Sequence, residues 1–376
     1  MASNKNQHFV PRCYLRPFTV DGTEAAAINL YNVDRRRFIE RAPVKHQCSG
    51  DYFYGKDAQL EKAIQLVESS YASALKEVLT PGYVLDELHR VQLRLFWQLQ
   101  HMQTEAASVR AAEMTEAMRN VVLEKDRPEF LLGIREAVQM AMRAFAESMR
   151  ILDDMKVCLV KNRTDTPFFT SDDPAVLTNR WYLERPGHNR RSFGLGSAGD
   201  ILLLPLSPRV LFLGYDGDVY SVPKERGWTE VRRDEDIEAF NEHQFLNCRA
   251  NVFVQSSAHA RLVYESLLRA APRRPETRHR INYAVLDGKG DGYSRYRVVN
   301  PAEAGEHREA MIHCQVIHPK PASWPRLIAW RAKGLRIRER KWGRICSTLS
   351  GRRASREGAV PQGAGARGQV VRRSPH

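Results

Sequence analysis

Between Asp57 and Leu152 apolar residues recur every three or four positions, and on either side of that block they do not. Leu60, Ile64, Val67, Tyr71, Leu75 and Val78 predict one amphipathic helix, stopped by Thr80-Pro81-Gly82. A second is expected over Leu85–Gln103, with Leu88, Val91, Leu95 and Leu99 on one side, and the pattern continues through 104–124 and 128–149. Before the block, 26–33 and 37–44 read as paired strands around Asp34-Arg35. After it come short apolar runs at 155–161, 168–170, 175–178, 201–204 and 210–215, then a helix near 234–246 and a strand at 251–255. Strands, a block of about four helices and strands again, without regular alternation, argue for an α+β fold rather than a doubly wound sheet. The expected sheet is mixed or antiparallel and built from both strand groups, with the helical segment 57–152 inserted.

Past residue 265 the pattern weakens. We expect a single α+β domain over 1–265, a poorly defined extension over 266–319 that holds one hairpin at 282–299, and a disordered basic tail over 320–376. Charge supports this division. Of 58 Lys and Arg and 44 Asp and Glu, 15 and 2 fall from residue 320 onward, which leaves 43 and 42 in the body. The excess of +14 therefore describes the tail, not a basic fold. Trp324, Ile328, Trp330 and Trp342 among Lys and Arg would suit association with nucleic acid or an anionic membrane. An out-of-frame reading of GC-rich DNA would also give the Arg-, Gly-, Ala- and Pro-rich composition after 350. No run approaches a membrane span, no secretory leader is evident, and six scattered cysteines fit no disulfide scaffold, so a cytoplasmic protein is expected.

The N-terminal string Gln7-His8-Phe9-Val10-Pro11-Arg12-Cys13-Tyr14-Leu15-Arg16-Pro17-Phe18 concentrates chemistry on a backbone bent by two prolines. His8 supplies a proton carrier near neutrality. Arg12 offers a fork for phosphate or carboxylate, and Tyr14 is a further donor. Cys13, between two arginines, is a weaker nucleophile candidate. Asp172 and Asp173 follow an apolar run in Thr170-Ser171-Asp172-Asp173-Pro174, where adjacent carboxylates suit a divalent cation such as Mg²⁺. Glu61 and Glu68, seven apart, share a helix face. The candidate catalytic set is thus His8, Arg12 and Asp172, and the candidate binding set Tyr14, Glu61, Glu68 and Asp173. If the two sets converge, they resemble a phosphodiesterase site acting on nucleic acid or another phosphate-bearing ligand. The alternative is a binding or interaction module whose polar residues knit the arm to the sheet. Gly194–Gly199 carries glycines at dinucleotide-fingerprint spacing but leads into a strand, so it is set aside.

The string Gln7-His8-x-Val10-Pro11-Arg12-x-Tyr14-Leu15 resembles the opening of an uncharacterised bacterial family, domain of unknown function 4238. Cys48 before Tyr52-Phe53-Tyr54, the glutamates Glu61 and Glu68, Thr170–Pro174, Pro205-Leu206-Ser207 and the stretch Asn241–Gln255 extend the likeness over about 7–260. The chain departs from it at Asp173, where relatives often carry Asn, and at Gln103, where many carry Arg. The resemblance implies a fold and boundaries but brings no activity. A role in prokaryotic defence is an expectation only.

Overall fold

The computed structural model describes residues 5–23, 27–55, 57–119, 134–185, 192–290, 293–306 and 309–332, with short pieces at 339–340, 344–345 and 369–372. The chain opens with β1 (Asn6–His8), α1 (Arg12–Leu15), β2 (Ala27–Asn32), β3 (Arg37–Pro43) and β4 (Ser49–Asp51). Four longer helices follow: α2 (Ala58–Val78), α3 (Glu87–Gln103), α4 (Glu105–Arg119) and α5 (Ile134–Ser148). Aspartates cap the first two. Asp57 accepts from the amides of Gln59 and Leu60 at 2.9 and 3.2 Å, and Asp86 accepts from His89 N at 2.7 Å. α2 packs on α3 through the face its periodicity marks, with Tyr71 stacked on Phe96 at 3.5 Å between ring centroids. On α3 the buried side corrects the expected one: Leu93, Phe96, Trp97 and Leu99 face the core, while Leu88 and Val91 are exposed.

Next come β5 (Lys156–Asn162), β6 (Thr170–Ser171), β7 (Val176–Thr178), α6 (Arg180–Leu183), β8 (Ile201–Ser207), β9 (Val210–Tyr215), β10 (Tyr220–Ser221), β11 (Trp228–Val231), α7 (Asp234–Asn247) and β12 (Asn251–Val254). The strands divide between two main sheets. N- and C-terminal strands do meet, in the order β3-β2-β12-β6, all antiparallel. The rest form a mixed five-stranded sheet, β11-β5-β9-β8-β7, in which only β11 and β5 run parallel. Period two splits β8 and β9 between two cores: Leu202, Leu204 and Phe212 face the helical layer, while Ile201, Leu203 and Leu213 face α7 and Tyr220. Trp97 of α3 fixes the helices to this sheet by donating Nε1–H to the Leu203 carbonyl at 3.0 Å.

Among the described residues, secondary structure continues beyond residue 265. α8 (Ala260–Ala270) packs on α7 and β2. The Arg-rich stretch after it caps α7, since Arg274 and Arg278 donate to the carbonyls of Cys248 and Asn247 at 3.0 Å each. β13 (His279–Gly290) and β14 (Tyr293–Val299) make the expected hairpin, and after α9 (Pro301–Glu306) β15 (Glu309–Val316) pairs with β13 on its other side. Residues 320–332 also lie on the body, which corrects their assignment to a disordered tail. Ile328, 1% exposed, joins the second core and Trp324 packs against both cores. β16 (Ala329–Trp330) pairs with β10. Trp324, Ile328 and Trp330, which composition lent to a membrane- or RNA-binding tail, are here structural anchors, and Trp342 lies outside the described residues. Most of 333–376 lies outside the described residues. Among the described residues no helix is long and apolar enough to cross a membrane.

Candidate functional site

The N-terminal arm is tied down by its own polar groups. β1 pairs with β4, with Gln7 opposite Gly50 and His8 opposite Ser49. The Gln7 side chain donates to the Gly55 carbonyl at 3.1 Å and accepts from Tyr54 N at 2.7 Å. Tyr54 returns a bond from its hydroxyl to the His8 carbonyl at 2.9 Å, and Gln103 of α3 donates to the Phe9 carbonyl at 3.0 Å. Val10, Tyr14, Leu15 and Phe18 are all 0% exposed. The apolar half of the motif is therefore core, and it holds His8 and Arg12 at the edge of that core.

There the arm and α2 enclose a cleft of about 310 Å³, lined among others by His8, Arg12, Cys13, Tyr54, Glu61 and Glu68. The seven-residue spacing does place both glutamates on the cleft side of α2. Burial, and next the Arg12 cation, lower the His8 pKa, against a hydrogen bond to the Lys45 backbone. Its Nε2 is buried with no hydrogen-bond partner among the described residues. Burial pushes the Glu68 carboxyl up to about 7, opposed by a hydrogen bond from Gln103, and Glu68 Oε1 is likewise without a partner among them. At neutral pH the cleft thus combines an uncharged imidazole, a carboxyl near half-protonation and a guanidinium. Those groups can accept a proton, donate one and hold an anion.

The structure separates the remaining sequence candidates from this cleft. Tyr14 meets Thr170 through a 2.6 Å hydroxyl–hydroxyl bond, and burial raises its pKa. Asp172, 7% exposed, accepts three backbone amides, Arg249, Ala250 and Asn251, each at 2.8 Å. Burial still outweighs those bonds and lifts its pKa to about 6. Asp173 accepts from the Thr104 hydroxyl at 2.8 Å, while its own carbonyl takes a bond from Asn247 at 2.6 Å. The arm and the Thr170–Pro174 segment do come together, but through Tyr14 and not through a shared opening. These carboxylates do not fit a Mg²⁺ site, because their lone pairs already serve backbone amides and a hydroxyl, and no group of three or more His, Cys, Asp or Glu among the described residues is arranged to hold a metal.

Gln103 enters the sequence reading only as a departure from the resemblance, and neither it nor Gln100 has a role there. Gln103 borders Glu68, and Gln100, one turn earlier, is 0% exposed with neither amide atom partnered among the described residues. Two glutamines on the buried side of an amphipathic helix were the available signal. His101 is explained by packing, since it stacks on Trp97 with ring centroids 4.9 Å apart and bonds the Ala175 carbonyl at 3.0 Å.

The family model described as "Protein of unknown function (DUF4238)" matches residues 6–258. The chain belongs to this family. The match takes in the arm, the helical layer and both main sheets, and ends just before α8. No curated protein and no solved structure matches the chain.

Proposed function

We propose that the cleft between the arm and α2 binds a phosphate-bearing ligand and hydrolyses a phosphodiester bond by general acid–base chemistry. One observation carries this reading: a neutral imidazole, a carboxyl that keeps its proton up to about 7 and a guanidinium line one small hollow. In this reading Arg12 holds the phosphate oxygens. His8 takes a proton from the attacking water as the new P–O bond forms. Glu68 gives its proton to the departing alkoxide as the old bond breaks, and Glu61 orders the rim. Asp172 belongs to the reading as a positioning group that fixes the turn before β12.

The test compares the full chain with His8→Ala, Arg12→Ala and Glu68→Gln on bis(p-nitrophenyl) phosphate and on a labelled single-stranded oligonucleotide. Loss of a general acid or base costs about 10²–10⁴ in rate, so turnover should fall at least about 100-fold in the His8 and Glu68 variants. A second reading, a non-catalytic binding module, is favoured by the structural use of Tyr14, Asp172 and Asp173. It predicts no turnover, but a phosphate-dependent rise in melting temperature that Arg12→Ala abolishes. If the wild type shows neither effect, both readings fall.

A further inference from the structure

Away from the cleft, a groove of about 1040 Å³ runs between the turn after α2, the end of β5, the β8–β9 turn and the segment from Pro223 to Glu230. Lys161, Arg163, Arg209, Lys224 and Arg226 line it, against only Glu225 and Glu230. The excess is local, because residues 1–319 as a whole are close to neutral. Glu230 lies 2.7 Å from both Arg163 and Arg232, so its charge is already answered. Lys224 turns inward, donating to the Val157 carbonyl at 3.3 Å. Lys161, Arg209 and Arg226 are left without a carboxylate partner among the described residues, although Arg209 also donates to the Thr164 carbonyl.

Tyr83 and Trp228 line the same groove, both half-buried, packed in part on the first core and joined by a 2.8 Å bond from Trp228 Nε1 to the Tyr83 carbonyl. Leu79 and Val84, 39% and 48% exposed, extend the apolar surface. The wall is rigid. Gly227 has φ +83°, and a Cβ there would meet Leu85 Cβ at 2.5 Å, so strand and turn cross too closely for any other residue.

Cations without carboxylate partners beside aromatic and apolar surface are what a single nucleic-acid strand requires, with phosphates on the cations and base faces on the rings. An acidic peptide would use the cations and leave the rings idle. We propose that this groove binds single-stranded nucleic acid, through Lys161, Arg209 and Arg226 on the phosphates and Tyr83 and Trp228 on the bases. The proposal does not depend on chemistry in the cleft.

The experiment follows the anisotropy of a fluorescein-labelled oligo(dT) or oligo(U) of about 12 nucleotides, within the range of ordinary single-strand sites, on the full chain across a salt series. The groove variant Lys161→Gln/Arg209→Gln/Arg226→Gln is expected to bind at least about tenfold more weakly. Its salt slope should fall by about 2, since each single-strand phosphate contact contributes about 0.7. Arg352→Gln/Arg353→Gln/Arg356→Gln removes the same charge from the tail and is expected to leave the slope close to wild type. The single variant Arg226→Gln, expected to weaken binding by a smaller step, covers the case of a misfolded triple. The proposal is overturned if the tail variant carries the loss, if oligo-glutamate competes as well as the oligonucleotide, or if the wild type does not bind at about 50 mM salt.

Discussion

The arm string Gln7–Phe18 and the strand-end string Thr170–Pro174 look equally polar in sequence, yet the fold uses them differently. In the second, hydroxyls and carboxylates end on backbone amides, Thr104 and Tyr14. In the first, Gln7 does the structural work, while His8 and Arg12 reach a cleft with Glu61 and Glu68. The lesson concerns bond supply. A side chain next to loops that need donors or acceptors becomes part of the scaffold, and one held at a core edge can line an opening.

The sharpest break of this comparison is Asp172→Ala. It strands three part-buried amides, each worth about 1–3 kcal/mol when fully buried, so urea unfolding should show a loss of about 3 kcal/mol or more. A loss under about 1 kcal/mol together with abolished activity would move Asp172 from scaffold to site. Next is pH. Glu68 and Asp172 both have folded pKa values raised above the unfolded ones, so the folded state keeps protons that the unfolded chain releases. Stability is then full below the unfolded carboxylate range and declines as pH rises, through about 6 for Asp172 and about 7 for Glu68. At about 1.4 kcal/mol per pKa unit, Glu68 accounts for up to about 3 kcal/mol of that decline, and Glu68→Gln should flatten the part near pH 7. A slope unchanged by that variant would deny the carboxyl its protonated state. Tyr14→Phe, which removes only the bond to Thr170, should cost about 1 kcal/mol without affecting ligand binding in the cleft. Smallest of all, Glu61→Gln at the rim should stay within about 0.5 kcal/mol of wild type, with any effect confined to ligand affinity.

Much of the fold was legible because its signals are local. Thr80-Pro81-Gly82 marks a helix end by backbone restriction, and seven-residue spacing carried Glu61 and Glu68 to one side of α2. The division into two sheets was hidden, since Ile201–Leu206 is buried on both faces and shows no polar alternation. β1 and β4, three residues each, are too short to show a period. The role of Asp172 could not be read locally at all, because its partners lie 77 to 79 positions away. The groove cations come from separate turns and strand ends, so no stretch of sequence announces them. The boundary near 265 followed composition and overlooked Val263, Leu267 and Ala270, whose spacing already spelled a helix.

α2 runs unbroken from one hollow to the other, and this makes it a phase rod. Glu68 lines the cleft and Leu79, just past the last turn, lines the groove. Eleven residues at 1.5 Å each set them about 16 Å apart after just over three whole turns, so the two openings are nearly in register along one side. Inserting a single residue between them would move the far end by only about 1.5 Å but swing it by about 100°. The same swing would turn Leu75 and Val78 out of the core. Evolution can therefore alter the length of this helix only in steps that respect its winding.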